Sequence, residues 1–180
     1  MGYPLQQVDF QKGCVVVGSA NLTGVTDRPN WDTYFFQMAT MIASRSTCPS
    51  RAVGCVIVDI DTKHVLSTGY NGAPKGTTHC GEGCLTRESG KSWSKCRAVH
   101  AELNAIVNAA KNGVSTDGCR MYLTTTPCVF CSRTLINAGV KEVYAMSKYS
   151  HEDAIHLLNE GGVEVKIISP IELTDLVRFV

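Results

Sequence analysis

The chain has almost no net charge. Lysine and arginine number 17 and aspartate and glutamate 16, a formal balance of +1 over 180 residues. A protein that holds a polyanion chiefly by charge needs a marked basic excess, so composition argues against a nucleic-acid binder of that kind. Long apolar runs are missing as well: no stretch approaches the ~20 residues of a membrane span. A secretory leader is not seen either, since Met1–Gln7 lacks a basic start and the apolar run Cys14–Val17 is short. The expectation is an intracellular, cytoplasmic protein. Internal repeats and low-complexity tracts are also absent. With 44% hydrophobic and 18% charged residues, the chain suits a folded globule and not a disordered one. At this length it can bury roughly 70% of its unfolded surface without disulfide staples.

Cysteine, by contrast, is abundant. Nine cysteines, an odd number, in a chain expected to stay reduced point to metal ligands or catalytic thiols before disulfides. Cys14, Cys55 and Cys119 read as small buried apolar residues. Of the others, Cys80, Cys84 and Cys96 sit in one loop, Cys48 stands before it, and Cys128 and Cys131 form a Cys-x-x-Cys pair.

Residues 1–30 read as an N-terminal extension or docking arm, with a short strand over Cys14–Gly18 and a turn-rich Asn21–Asn30. Residues 31–180 read as a single domain. Asn30 is placed to cap a helix over Trp31–Ser46, with Asp32 in its first turn and Tyr34, Met38, Met41 and Ile42 at helical spacing. Val53–Ile60 and His64–Tyr70 are β-rich runs joined through Asp61, Thr62 and Lys63, which predicts a hairpin. An insertion at about 71–97 is rich in glycine and cysteine and lacks periodicity; long loops of this kind in compact domains are usually functional. Helices are predicted over Ala101–Lys111, Val129–Ala138 and His151–Asn159. They alternate with strands over Arg120–Thr125, Lys141–Ala145 and Val163–Ile168. This order predicts an α/β protein of three layers, α/β/α, with a mixed five-stranded sheet covered on both faces.

Two short segments carry the chemistry: His100-Ala101-Glu102 and Pro127-Cys128-Val129-Phe130-Cys131. Each stands where a loop or strand becomes a helix. Three apart in a first helical turn, Cys128 and Cys131 send their sulfurs to one side. Thiolate and imidazole suit tetrahedral zinc. With His100 as third ligand one position stays open for water, as in a catalytic site and not a closed structural one. The unpaired N–H groups at both helix starts favour thiolates. Glu102 lies about 200° round a regular helix from His100, so both cannot ligate one ion. Near the helix start it is placed to take a proton from the water and deliver it to a ring nitrogen and a leaving amine. The competing reading makes the cysteine pair a structural zinc knuckle and His100 part of a helix surface. The pairing of two helix-opening segments disfavours it. His-x-Glu followed by Pro-Cys-x-x-Cys is the signature of zinc nucleobase deaminases.

Within that group the chain resembles the deoxycytidylate (dCMP) deaminase family over about Met38–Tyr149. The resemblance rests on Ala43-Ser44-Arg45-Ser46-Thr47-Cys48, Val53-Gly54-Cys55-Val56-Ile57-Val58, Gly69-Tyr70-Asn71-Gly72-Ala73-Pro74, and His79-Cys80. It continues through His100-Ala101-Glu102-Leu103-Asn104-Ala105-Ile106, the Cys128/Cys131 pair, Tyr144 and Tyr149. The Gly69–Pro74 stretch discriminates most. The resemblance implies a cytidine-deaminase-like fold, a catalytic zinc, and hydrolysis of dCMP to dUMP and ammonia, upstream of thymidylate synthesis. It implies a homo-oligomer, with a hexamer favoured, activated by dCTP and inhibited by dTTP, and Mg accompanying those nucleotides. No nucleic-acid or membrane partner is implied.

The same resemblance puts Asn71 at the sugar or base, a role compatible with a turn residue before Gly72. It puts Tyr149 on the phosphate side. Arg45 and Arg51 are candidates for the phosphate, whose geometry suits a guanidinium, though each reads equally as a surface arginine. Thr125 and Thr126 precede the Pro-Cys turn, where backbone groups line the pocket and the hydroxyls can cap the helix. A second, structural zinc is expected on Cys48, Cys80, Cys84 and Cys96, with His79 able to replace one cysteine. It would order a loop that cannot bury enough to order itself. Cys84 and Cys96 stand where some relatives use histidine.

Transfer-RNA adenosine deaminases share both catalytic motifs, but the low charge and the insertion speak for dCMP. Free-nucleoside cytidine deaminases usually carry cysteine where His100 stands, and riboflavin-pathway deaminases space their cysteines more widely. A non-catalytic, zinc-stabilised scaffold would leave Glu102 and the open position without use.

Overall fold

The computed structural model describes residues 29–80, 84, 96–149 and 152–168. The strand expected at Cys14–Gly18, the extension up to residue 28 and most of the insertion lie outside the described residues. Helix α1 spans Trp31–Ala43 and is followed by strands β1 (Gly54–Val58) and β2 (Val65–Tyr70). Helix α2 (Ala101–Lys111), strand β3 (Arg120–Leu123), helix α3 (Val129–Asn137), strand β4 (Glu142–Ala145), helix α4 (Glu152–Glu160) and strand β5 (Glu164–Ile167) complete the order.

Asn30 caps α1 as its side chain predicts, Oδ1 accepting from the Thr33 N–H at 2.8 Å. The helix stops at Ala43, short of Ser46. The Ser46 hydroxyl is drawn instead to the Asn71 amide oxygen at 2.7 Å, which turns the chain out of the helix. Between β1 and β2, Asp59 Oδ1 accepts from the N–H groups of Asp61 and Thr62, and Lys63 takes the left-handed conformation that closes the turn.

The sheet runs β2-β1-β3-β4-β5. β1 is antiparallel to both neighbours, while β3, β4 and β5 are parallel, each pair joined through a helix. Every residue of β1 is buried, because helices cover both faces. Val56 and Val58 face α1, packing with Phe35, Phe36, Ala39, Tyr122 and Tyr144. Cys55 and Ile57 point the other way, among Ala101, Ala105, Met121, Leu135, Val143 and Leu158 of the side formed by α2, α3 and α4.

Two glycines set how close the helices come. A Cβ on Gly54 would lie 1.9 Å from the Ala39 carbonyl of α1, and one on Gly69 would lie 2.3 Å from the Ala101 carbonyl of α2. Helix α2 therefore sits directly on β2. Asn104 and Asn108, one turn apart, donate to the Tyr70 and Thr68 carbonyls on the outer edge of that strand. Ser67 donates back to Ala105 O at 2.7 Å. These bonds cover an edge strand and at the same time fix the start of α2.

Candidate active site

His100 and Cys128 are the N-cap residues of α2 and α3. Both have extended backbone, and neither side chain makes a capping hydrogen bond. An N-cap residue normally spends its side chain on its own helix; here imidazole and thiol are left for another partner. Val99, just before His100, is bridged to Gly72 by two backbone hydrogen bonds of 3.1 and 2.9 Å. Ser132, buried in α3, donates to the Cys128 carbonyl at 3.0 Å.

His100 Nδ1 lies 3.5 Å from Cys128 Sγ and 3.3 Å from Cys131 Sγ. Around a tetrahedral zinc with the usual bond lengths, nitrogen and sulfur stand about 3.6 Å apart. The triad therefore fits zinc with little movement. Among the described residues it is the group of three or more His, Cys or carboxylate donors gathered within 4.8 Å. Donation from Cys131 pushes the Cys128 thiol down to about 4, with His100 adding to the effect against burial. Cys131, as the donor, is pushed up. The hydrogen bond to Cys128 raises His100 although burial opposes it. A dication at the centre would take both sulfurs as thiolates, so metal binding would release their protons.

Glu102 occupies the first turn of α2 and is 4% exposed. Burial raises its carboxyl above the ordinary range, with His100 as an opposing influence. It is thus a carboxyl that accepts a proton more readily than a solvated one, on the same helix start as His100.

The phosphate-side candidates divide. Arg51 and Tyr149 are brought together, the guanidinium 4.5 Å from the ring centroid. Arg45 is exposed just past the end of α1. Asn71 is buried, and its side chain is largely used within the protein. Oδ1 accepts from Val53 N at 2.8 Å and Nδ2 donates to Arg51 O at 2.8 Å. It shapes the segment that carries Arg51. Thr126 does not cap α3 as the sequence allowed; its Oγ1 accepts from the Tyr149 N–H at 2.7 Å. That contact and the Arg51–Tyr149 stack join segments far apart in the chain, and no spacing rule could reveal them.

Cys48, Cys80, Cys84 and Cys96 are each partly buried. The structure does not gather any three of them within 4.8 Å, nor with His79. Cys80, Cys84 and Cys96 border residues 81–83 and 85–95, which lie outside the described residues, while Cys48 follows α1.

A family model described as the cytidine and deoxycytidylate deaminase zinc-binding region matches residues 29–147. ComE operon protein 2 of Bacillus subtilis is 39% identical over 153 residues, covering 84% of this chain and 76% of that protein. The deoxycytidylate deaminase of Schizosaccharomyces pombe is 39% identical over 151 residues, 81% of this chain, and the match spans only 46% of that longer protein. Among solved structures, the dCMP deaminase of cyanophage S-TIM5 in complex with dCMP and dUMP superposes with a TM-score of 0.68 at 32% identity, covering 78% of this chain and 98% of that one. The His/Cys/Cys triad and the flanking glutamate thus lie inside a matched zinc-binding region, and the chain belongs to the cytidine and deoxycytidylate deaminase family.

Proposed function

We propose that the chain is a zinc-dependent hydrolase that converts dCMP to dUMP and releases ammonia. The observation that carries this reading is the buried Glu102 two residues past His100, in a centre where His100, Cys128 and Cys131 converge at zinc-binding distances. Zinc, when held there, supplies a Lewis acid that makes water nucleophilic near neutral pH. Glu102 takes one proton from the attacking water and gives it to the ring nitrogen, then takes the second from the new C4 hydroxyl and gives it to the departing amine. The burial that raises its proton affinity suits a group that must carry a proton through the cycle. Arg51, stacked on Tyr149, and Arg45 offer guanidinium groups to the 5′-phosphate. Asn71 keeps the Arg51 segment in place, and the resemblance puts it at the sugar or base. The choice of dCMP is supported by the named activity of the S. pombe relative and by the nucleotides bound in the cyanophage enzyme.

Finer parts of the reading rest on the resemblance of the Gly69–Pro74 stretch. They are a homohexamer, activated by dCTP and inhibited by dTTP, with Mg accompanying the effectors; a cytoplasmic location rests instead on the cysteine usage. Residues 31–180 act as one deaminase domain behind an extension. A closed second zinc on Cys48, Cys80, Cys84 and Cys96 is supported by three of them, Cys80, Cys84 and Cys96, standing in one insertion, and metal content per chain decides it.

Ammonia release from zinc-loaded protein, compared across dCMP, dCTP, deoxycytidine and CMP, tests the substrate. The fastest turnover is expected with dCMP. Inert dCMP alongside rapid inosine formation in tRNA would make the chain a tRNA adenosine deaminase instead.

A further inference from the structure

Thr126 stands two residues before Cys128 and is 3% exposed. A buried hydroxyl costs stability unless it is hydrogen-bonded, so its partner shows what it is for. Its Oγ1 accepts from the Tyr149 N–H at 2.7 Å, and its own N–H donates to Ser147 O at 2.9 Å. Ser147 Oγ in turn donates to Thr124 O at 2.9 Å. The loop after β4 is thereby stitched to the loop that leads from β3 to the metal ligand. Arg51 stacks on the ring of Tyr149, and its own carbonyl is held by Asn71.

We infer that Thr126 is a positioning residue that fixes the Tyr149–Arg51 pair at a set distance from the metal ligands, and so sets the preference for a 5′-phosphorylated substrate over the bare nucleoside. The inference rests on the reading of that pair as the phosphate side of the site. A nucleotide has a fixed span from base to phosphate. Both ends are satisfied only if the two loops keep their spacing, and a displacement of ~1 Å can cost up to about 100-fold. Of the three hydrogen bonds named between the loops, the one to the Thr126 hydroxyl is the one that reaches Tyr149 itself.

The test compares kcat and KM for dCMP and for deoxycytidine in zinc-loaded wild type, Thr126→Val, Thr126→Ser, Tyr149→Ala and the Thr126→Val/Tyr149→Ala double variant. Valine keeps the shape and leaves the Tyr149 N–H without its acceptor. It is expected to lower kcat/KM for dCMP roughly tenfold, through KM, and to narrow the preference over deoxycytidine. Serine restores the preference, and in the Tyr149→Ala background valine adds little further loss. If valine does not fold, Thr126→Ala takes its place in the same comparison. A kcat that falls equally for both substrates with the preference intact would overturn the inference while leaving the phosphate reading in place. A wild type that does not prefer dCMP over deoxycytidine would overturn both.

Discussion

Cys128 and Cys131 differ although they serve one ion. Without a metal, Cys128, at the N-cap position of α3, is pushed down to about 4 by its hydrogen bond from Cys131, while Cys131 is pushed up. Replacing either by alanine is expected to strip the zinc or leave it weakly held, because two protein ligands do not make the site. Metal analysis of purified Cys131→Ala checks this, and full zinc content would remove the thiol from the ligand set. These residues were legible because zinc chemistry needs particular side-chain types at a helix start, and both motifs are local. The hydroxyl of Thr126 and the stack of Arg51 on Tyr149 were not, since they exist only once loops distant in sequence have docked. Asn71 was legible as a polar residue at a turn, but its engagement with Val53 and Arg51 needed the folded backbone.

Among the elements, hydrophobic periodicity and turn residues read the described helices and strands to within a few residues. Ends were harder, because local partners decide them: Ser46 leaves the helical register for Asn71. Close packing of helix on strand was also hidden. Gly69 reads as part of a motif, yet its structural reason is the backbone of α2 lying where a side chain would go. Gly69→Ala must lift the first turn of α2, which carries His100 and Glu102. The expected cost is about 1–3 kcal/mol in stability, with activity falling further than stability because the metal ligand moves. Thermal unfolding and turnover of the zinc-loaded variant check it; unchanged values for both would mean that α2 does not rest on β2 this closely.

Across the whole molecule, a polar cluster at the amino edge of the parallel strands ties α1 to the sheet. Arg120 pairs with Glu142 at 2.5 Å and stacks on Tyr144, while Tyr122 OH donates to Asp32 at 2.6 Å. Burial alone would raise the Glu142 carboxyl, but the Arg120 guanidinium outweighs it and holds the group below its usual range. A carboxyl lowered by folding stabilises the native state above its unfolded pKa and loses that contribution as pH falls through the folded value. Wild type should therefore lose stability on acidification from about pH 5 downward. Glu142→Gln should be less stable at neutral pH and show a shallower acid slope, measured by denaturant unfolding across pH. Equal slopes would mean that the pair contributes nothing. At this scale the layered fold was legible from element order, whereas the insertion, without periodicity, gave only its cysteines.

Glu102→Gln tests the central claim most directly. The amide keeps the shape of the side chain but cannot carry the proton. With zinc content equal to wild type, dCMP turnover should fall by about 100- to 10,000-fold. Near-normal ammonia release from the zinc-loaded variant would contradict the account.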